Sequence, residues 1–462
     1  MEVKKRNAKQ NFIWRKSFII LFWLLVWQLL TWLVGNKILL EGPLAVIKRL
    51  FEDLQTTVYY QTVGASLLRI VGGFLCGTIL AVVVSIIAGK YPLAGEILMP
   101  VVQFLKAAPI TCFVVLLLIW AGSGNLAFYI AVLVAFPPVY FNLLEGIRQI
   151  DRKLIEVAKV YRMPLRNRLR YIYLPGVEPY FISALSLAIG TAFKAGVAAE
   201  IIGTPDYSMG ERIYMSKIYL DTAGVLSWMI TIILVAYLCE KLFVKMAVYY
   251  FHKKPAVYVK RKKQGEADKK YLPKDVVLDN CTVAYEKEKV LDSLNMRFEA
   301  GKTYGITGQS GVGKTTLLKV ILGLVKPNGG EYHGGETVKA AVFQENRLFE
   351  EYTALENVYA TGQCDKTVDA IQKALLEILP KDCLSKPVKE FSGGMKRRTD
   401  VARAMLSEGE VVLLDEPFNG LDEKTKEQTI AFINKYKQGR TILFTTHCPA
   451  DIEIVKAEEY KL

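Results

Sequence analysis

Metal-binding and disulfide patterns are missing from this sequence. Its 462 residues include seven cysteines and only three histidines. The cysteines are scattered singly, with no C-x-x-C pair and no histidine at metal-ligand spacing. Neither a zinc site nor a disulfide framework is therefore indicated. Free cysteines in the C-terminal part suit a reducing cytosol.

A signal for cleavage near the N-terminus is also missing. Residues 18–34 are almost wholly apolar and contain three tryptophans, but no small-residue cleavage site follows them. The run is long enough to span a bilayer. We therefore expect it to be a first membrane helix that enters from the cytoplasm.

The formal net charge of +14 invites comparison with nucleic-acid-binding proteins, but the basic residues are unevenly placed. They concentrate in residues 4–16, 148–170 and 253–270. Cytoplasmic segments of membrane proteins carry such an excess of lysine and arginine. The charge therefore indicates a multi-pass membrane protein with both termini in the cytoplasm, and no nucleic-acid partner.

Long apolar runs dominate residues 1–250, which we predict to be an all-α polytopic membrane domain with six helices. The runs after the first lie at residues 63–88, 107–121, 125–144, 182–202 and 226–248. The run at 107–121 is shorter than the ~20 residues that a span needs, so we expect it to extend back through residues 100–105 or to tilt. The amphipathic segment 43–60 is expected at the outer interface.

Three ionisable residues fall inside these runs: Arg69, Lys194 and Glu200. A charge inside a bilayer is costly and usually faces protein or a water-filled path. Two interpretations are open, a solute path and a structural contact or snorkelling. A spacing of six residues on one helix argues against pairing of Lys194 with Glu200.

A basic, polar stretch separates the fourth and fifth runs. It begins with Glu156-Val157-Ala158 and ends at Leu174-Pro175. Such a stretch predicts a short helix pair outside the bilayer that docks on a cytoplasmic partner, although a merely solvated loop is the alternative. A charged cytoplasmic linker follows at 251–274, and residues 275–462 alternate strand and helix patterns. They predict an α/β domain with a largely parallel sheet.

The motif Gly308-Gln309-Ser310-Gly311-Val312-Gly313-Lys314-Thr315-Thr316 fits G-x-x-x-x-G-K-[ST]. An apolar strand pattern precedes it and a helix pattern follows it, as expected of a phosphate-binding loop. Backbone N–H groups and the helix N-terminus would bind phosphates. Lys314 would meet the terminal phosphates and Thr315 would hold Mg²⁺. The alternative is a glycine-rich turn that happens to contain Lys-Thr.

Further polar residues follow apolar strand patterns. Asp415 and Glu416 end one such run, so we assign Asp415 to the Mg²⁺ shell and Glu416 to the attacking water, as general base or orienting group. His447 follows another strand and can contact the γ-phosphate edge. Gln344 follows a third and could reach the metal or the water.

A second anion-binding segment is predicted at Ser392-Gly393-Gly394, where small residues precede a helix. Because one phosphate loop already binds the nucleotide, we expect this segment to act on ATP held by a second copy of the chain.

Taken together and in this order, these motifs resemble the ATP-binding-cassette ATPases. The resemblance includes Asn419-Gly420-Leu421-Asp422 and covers most of the chain from residue 276 onward. It implies that Tyr285 stacks on adenine and that Ser392, Gly393 and Gly394 complete the opposite site of a head-to-tail dimer. It implies that the nucleotide-binding set is Gly308, Ser310, Gly311, Gly313, Lys314, Thr315, Thr316, Ser392, Gly393, Gly394 and Asp422. Met395 stands where this family usually has Gln.

Residues 1–250 resemble binding-protein-dependent importer permeases. The resemblance implies a coupling loop that includes Glu156, Ala158, Arg162 and Pro175 and that docks near Gln344. Arg162 stands where the family commonly has Gly, so a different turn is expected there. Residues 107–110 and 119–124 are most similar to the nitrate, taurine and aliphatic-sulfonate branch, in which permease and ATPase are usually separate chains.

The resemblance implies an ATP-driven importer in a bacterial inner membrane, working as a homodimer with ATP and Mg²⁺. An extracytoplasmic binding protein would deliver a small polar solute, of a sulfonate, nitrate or taurine type. The partners expected are thus that protein, the solute, membrane lipid and a second copy of the chain. Two alternatives are an exporter or lipid-handling pump, and a membrane ATPase that does not transport.

Overall fold

The computed structural model describes residues 2–252, 274–285, 288–334, 337–364 and 366–462, with side chains from residue 14. The predicted linker at 251–274 therefore lies largely outside the described residues, as do the side chains of the basic residues 4–9.

The chain divides into two compact units. The helical unit comprises Met1–Gln149 and Val177–Lys253, and the α/β unit comprises Ile150–Gly176 and Lys254–Leu462. The segment between the fourth and fifth apolar runs thus belongs to the α/β unit, although the chain on both sides of it belongs to the helical unit.

The helical unit is built from the apolar runs of the sequence. Its helices are α1 (Glu2–Val34), α2 (Pro43–Leu54), α3 (Thr57–Lys90), α4 (Pro92–Ala107), α5 (Ile110–Ala121) and α6 (Leu126–Arg148), followed after the inserted segment by α9 (Leu174–Gly203), α10 (Met209–Ile218) and α11 (Thr222–His252). Over the described ranges, five helices are long and apolar enough to cross a membrane, or up to six if α4 and α5 form one broken span. This agrees with the predicted number.

The short third run, 107–121, extends back as expected, but through a second helix and not as one continuous helix. Helices α4 and α5 meet at 98°. Pro109 lacks a backbone N–H and disfavours helical geometry at the residue before it, and Ala108 is accordingly extended, with φ −69° and ψ 137°. The span is therefore a bent pair.

The amphipathic segment also differs from the expected single element. It divides at Thr56, whose side chain accepts a hydrogen bond from the Tyr59 N–H and starts α3. Residues 57–60 thus belong to the long apolar helix.

Two glycines allow α3 to approach α6 closely. A Cβ added at Gly73 would lie 2.2 Å from the Phe128 carbonyl oxygen, and one at Gly77 would lie 2.7 Å from that of Val132. Small residues four apart permit this backbone contact between membrane helices. Larger residues at either position would force the two helices apart.

The inserted segment contains α7 (Arg152–Val160), α8 (Leu165–Arg168) and a π-helical turn (Leu169–Tyr173) that runs directly into α9. The expectation that a short helix pair ends at Pro175 was wrong at this end, because the helix continues to Gly203. Pro175 closely follows the π-helical turn within the continuous helix Leu165–Gly203, where the regular helical hydrogen-bond pattern is already interrupted.

Two sheets form the α/β unit. An antiparallel sheet has the order β2 (Glu288–Phe298), β1 (Val276–Tyr285), β4 (Gly329–His333). A parallel sheet has the order β5 (Lys339–Val342), β6 (Val411–Asp415), β7 (Thr441–Thr445), β3 (Thr303–Thr307), β8 (Glu458–Lys461). The helices are α12 (Lys314–Ile321), α13 (Ala354–Ala360), α14 (Val368–Leu375), α15 (Gly393–Leu406), α16 (Glu423–Tyr436) and α17 (Ala450–Val455), with 3₁₀ turns at Lys381–Cys383 and Val388–Glu390.

The parallel sheet confirms the predicted fold class and positions the polar residues. Strands β3, β5, β6 and β7 are buried along their length. Because they are parallel, their carboxyl ends meet at one edge. The segments that follow them are therefore brought together although they are far apart in sequence.

Candidate functional site

The glycine-rich loop after β3 needs glycine at two positions. Gly311 has φ +84° and Gly313 has φ +107°, a region that side chains rarely adopt. A Cβ on Gly313 would also lie 2.9 Å from Leu291 Cδ2 and 3.0 Å from the Val290 carbonyl oxygen. Gly313 caps α12, so the helix N-terminus faces the loop interior.

Lys314 reaches back across this loop. Its Nζ donates hydrogen bonds to the carbonyl oxygens of Gly308 (2.7 Å) and Gln309 (3.0 Å). The buried ammonium therefore stands over the loop, at the point where anionic oxygens would meet the free N–H groups of the helix.

The carboxylate of Asp415 lies at the end of β6 and is almost fully buried. It accepts a hydrogen bond from Thr445 Oγ1 at 2.7 Å, and Thr315 also hydrogen-bonds to it. Burial raises the pKa of Asp415, and the two threonine donors partly oppose that rise. A cation beside this group would favour its ionised form.

Glu416 adopts a left-handed backbone, with φ +50°. Its N–H donates to Thr445 Oγ1 at 2.9 Å, and Asn419 Nδ2 donates to its Oε2 at 3.1 Å. His447 Nε2 lies 2.8 Å from its Oε1. Strained backbone at a strand end that turns a carboxylate toward neighbouring strands is typical of functional sites.

The glycine-rich loop, Gln344, Glu416 and His447 share one cavity of about 250 Å³. It is lined by Val290, Ser310, Gly311, Gly313, Lys314, Thr315, Thr316, Gln344, Glu416 and His447. A second cavity of about 220 Å³ includes Thr315, Gln344 and Asp415 in its lining. The geometry thus brings the loop, Gln344 and the residues after β6 and β7 together.

Other predicted residues do not line either cavity in the described part of the chain. Tyr285 is half-exposed at the end of β1. Ser392 is exposed and caps α15 by accepting from the Met395 N–H at 3.3 Å, with Gly393 and Gly394 in its first turn. Asp422 caps α16 through the Thr425 N–H at 2.8 Å. A single chain therefore presents the Ser392 segment to its surroundings.

The residues fit a magnesium ion that also has phosphate oxygens as ligands. Thr315, Asp415 and Gln344 offer hydroxyl, carboxylate and amide oxygens around the second cavity. Mg²⁺ commonly takes one or two carboxylates and completes its shell with water and phosphate. The described residues hold no group of three His, Cys, Asp or Glu that could bind a metal alone, so the nucleotide would have to contribute.

The segment 150–176 contacts the rest of the α/β unit through two groups of residues. Near the Gln344 segment, Lys153 pairs with Glu345 and Glu156 with Arg347. Lys159 Nζ donates to the Gly323 carbonyl oxygen at 3.0 Å. Ala158 is buried in this contact region.

The second group follows the turn after α7. Asn167 Nδ2 donates to the Ala360 carbonyl oxygen and Tyr352 Oη to that of Arg170, each at 3.0 Å. Gly362 packs against Pro164 so closely that an added Cβ would lie 2.7 Å from its Cδ. The docking therefore has a defined register.

Arg162 adopts a left-handed backbone at the end of α7. It has φ +45°, and the Met163 N–H closes the end of α7 on the Ala158 carbonyl oxygen at 2.9 Å. This is a helix ending that glycine usually supplies, and here the arginine accepts its strain. That the turn differs from the family's remains a prediction.

The three intramembrane residues separate into two groups. Glu200 is fully buried and accepts from Ser66 Oγ (2.8 Å) and the Gly210 N–H (3.2 Å). Arg69 lies 3.8 Å from Glu200 and donates to the Asp206 carbonyl oxygen. Lys194 is exposed on the same helix as Glu200. Glu200 therefore pairs with Arg69 and not with Lys194.

Several residues of this site carry no motif that would have identified them. Thr445 bridges Asp415 and Glu416, and the buried Arg397 donates to the carbonyl oxygens of Phe343 and Gln344. Tyr161 is buried against β5. Asn419 belongs to a recognised motif, but its bond to Glu416 depends on the turn after β6.

Two family models match different parts of the chain. Residues 291–419 match the model described as ABC transporter, and residues 76–256 match that of the binding-protein-dependent transport system inner membrane component.

Three curated relatives align with the α/β part. An uncharacterized ABC transporter ATP-binding protein of Bacillus subtilis is 34% identical over 38% of this chain and 63% of its own length. The glucose import ATP-binding protein of Saccharolobus solfataricus is 31% identical over 38% of this chain and 57% of its length. The aliphatic sulfonates import ATP-binding protein of Bacillus cereus is 37% identical over 37% of this chain and 74% of its length. The chain thus spans less than two thirds of the first two.

Proposed function

The chain belongs to the ATP-binding-cassette transporter family, and from that membership we propose that it is an ATP-driven importer whose permease and ATPase lie in one polypeptide. The observation that carries the proposal is the single cavity shared by the glycine-rich loop, Gln344, Glu416 and His447. Phosphate oxygens would replace the loop carbonyls as partners of Lys314, and the α12 N-terminus would face them.

We assign hydrolysis to the residues after β6 and β7. Glu416 accepts a proton from the attacking water or orients that water, since its carboxylate faces the cavity. Asn419 and His447 fix the direction of this carboxylate. Thr315, Asp415 and Gln344 would hold Mg²⁺, which when bound neutralises phosphate charge.

The complete site requires a second copy of the chain in this proposal. Ser392, Gly393 and Gly394 do not line the cavity of their own chain and would face ATP held by the partner, together with Asp422. Tyr285, at the exposed end of β1, would then stack on adenine. The two chains would close head to tail on two ATP molecules.

The solute and its delivery are assigned more coarsely. The match of residues 76–256 to a binding-protein-dependent component supports an extracytoplasmic binding protein as partner. A relative named for aliphatic sulfonates and the loose motifs at 107–110 and 119–124 support a small polar, anionic solute of the sulfonate, taurine or nitrate type. We place the chain in a bacterial inner membrane, in contact with lipid, with both termini cytoplasmic.

The test uses the chain in its native membrane. The Glu416→Gln variant is incubated with MgATP, solubilised and examined by mass spectrometry for proteins and small molecules that co-purify. Wild-type chain with ADP is the control. We expect a stoichiometric extracytoplasmic protein, whose bound small molecule names the solute. ATP hydrolysis stimulated by lipid or hydrophobic compounds, with no such protein, would instead establish the exporter or lipid-handling pump.

A further inference from the structure

Tyr161 satisfies a backbone position that the sheet leaves unpaired. Strand β5 is the outermost strand of the parallel sheet, so its outer N–H and C=O groups need other partners. The Tyr161 hydroxyl donates to the Ala341 carbonyl oxygen at 3.0 Å and accepts from the Ala341 N–H at 3.2 Å. One phenol therefore takes the place of a neighbouring strand at the residue three positions before Gln344.

The same ring contacts a second element. The guanidinium of Arg403 on α15 lies over it, 5.4 Å from the ring centroid. Arg403 is fully buried, pairs with Asp400, and donates to the Arg347 carbonyl oxygen at 2.7 Å. Helix α15 begins at the Ser392 cap, so Tyr161 touches both the strand that leads to Gln344 and the helix that leads from Ser392.

The Tyr161 hydroxyl stays in the protonated form that donation to the Ala341 carbonyl oxygen requires. Tyr161 is completely buried at the end of α7. Burial raises the pKa of its hydroxyl, so the group stays protonated and can donate. The left-handed turn at Arg162 follows directly, which fixes the direction in which the ring leaves the helix.

We propose that Tyr161 is a positioning residue that holds strand β5 and helix α15 in a fixed relative position. One side chain of the segment 150–176 thereby contacts both the strand that leads to Gln344 and the helix that starts at Ser392. This rests on the proposed function, in which Gln344 acts on ATP of its own chain and Ser392 on that of the partner. A movement of α7 would then reach the two ATP sites of a dimer at once.

If Tyr161 only filled space, removing its hydroxyl would change neither exchange nor hydrolysis. Phenylalanine at 161 keeps the ring, its packing and the position of Arg403 over the ring, but it loses the hydroxyl contact with Arg403 and leaves the N–H and C=O of Ala341 without their partner. Tyr173 offers a matched control in the same segment, because no hydrogen bond of its hydroxyl is found among the described residues. Tyr161→Phe and Tyr173→Phe thus remove the same atom at two positions.

The experiment is hydrogen exchange on the full-length chain in lipid nanodiscs, with and without MgATP, combined with phosphate release at varied ATP. For Tyr161→Phe we expect roughly ten-fold faster exchange of the Ala341 amide. We also expect loss of the MgATP-dependent change in residues 152–163, with a change retained at 339–345. The kcat should fall about ten-fold with KM for ATP within about two-fold. Tyr173→Phe should match wild type.

Two results would overturn the inference. One is a Tyr161→Phe chain with wild-type exchange at Ala341 and a wild-type MgATP response in 152–163. The other is a wild-type chain whose segment 152–163 does not respond to MgATP although 339–345 does. Failure of wild type to release phosphate would count against the proposed function, while the exchange data would still decide the role of Tyr161.

Discussion

Glu200 and Glu416 are both acids at the ends of regular elements, yet their surroundings differ. Glu200 is fully buried; its Oε2 accepts hydrogen bonds from Ser66 and the Gly210 N–H, and its Oε1 lies 3.8 Å from Arg69. Glu416 has a left-handed backbone and lines a cavity, with His447 and Asn419 at its two oxygens. The first carboxylate joins three helices, whereas the second faces the cavity that the proposed function assigns to ATP.

An acid in an apolar run can therefore be a structural contact and not part of a solute path. Glu200 accepts from the first turn of α10 and from α3, so its burial is compensated by fixed donors. We interpret Glu200 and Arg69 as a structural contact that holds α10 on α3. The exposed Lys194 is the remaining candidate for a solute path.

Glu416→Gln gives the largest expected effect. Loss of the carboxylate should lower phosphate release by about 10²- to 10⁴-fold, the range for a positioned general base. ATP binding should persist, because the phosphate loop is unchanged. Steady-state phosphate release and nucleotide binding of the full-length chain measure the two quantities. Glu427→Gln, at an exposed position of α16, is the control, and normal turnover by Glu416→Gln would remove its assigned role.

Glu200→Ala should lower the free energy of unfolding and leave ATP hydrolysis unchanged. It leaves the Ser66 hydroxyl and the Gly210 N–H without an acceptor, a loss of about 1–3 kcal/mol in the free energy of unfolding. All six tryptophans of the chain precede residue 229, so tryptophan fluorescence during thermal unfolding reports on the helical unit alone.

The conservative Glu200→Gln variant separates the hydrogen bonds of Glu200 from its charge. Its amide oxygen can still accept the two hydrogen bonds, so most of the stability should return. Basal phosphate release should equal wild type in both variants. A Glu200→Gln chain with wild-type stability but no solute uptake would show that the charge itself serves transport.

Thr445→Val should change the pH dependence of hydrolysis. Asp415 must be ionised to hold Mg²⁺, and burial already raises its pKa. Removing the Thr445 donor removes one of the bonds that lower this pKa, so protonation begins at higher pH. The acid limb of Mg²⁺-dependent phosphate release should therefore move up by about one to two pH units, since a hydrogen bond to a charged group is worth ~1.5–3 kcal/mol. An unmoved limb would mean that Asp415 does not control it.

Arg162→Gly should give the smallest effect, an increase in the local stability of residues 152–163. A left-handed non-glycine residue costs about 1 kcal/mol, so glycine should slow hydrogen exchange in residues 152–163 by about five-fold. Arg162→Ala loses the same side-chain contacts but keeps the Cβ, so the difference between the two variants isolates the backbone. Equal exchange in both would show that the turn carries no strain.

The sequence predicted well wherever a local pattern had one structural outcome. The loop from Gly308 to Thr316 needs a strand before it and a helix after it, and both are present. Asp415 and Gln344 were also expected at strand ends. Their convergence depends only on parallel strands, which the alternation of elements already indicates.

The features that the sequence did not predict depend on contacts between residues far apart in the chain. Nothing near Thr445 in sequence indicates that its hydroxyl donates to the Asp415 carboxylate and accepts from the backbone N–H of Glu416. The 98° bend depends on a proline whose effect on direction is not visible in hydropathy. The partner of Tyr161 lies 180 residues away, and the Glu200 contact joins helices separated by 134 residues.

The distance from Tyr161 to Ala341 also sets an order of events during synthesis. At about 5–20 residues per second, the ribosome needs roughly 9–36 s to add the 180 residues between them. Through that interval α7 leaves the ribosome with its binding strand still unmade. A permease encoded without its ATPase would have to find that partner by diffusion, whereas here the strand arrives tethered to the segment that awaits it.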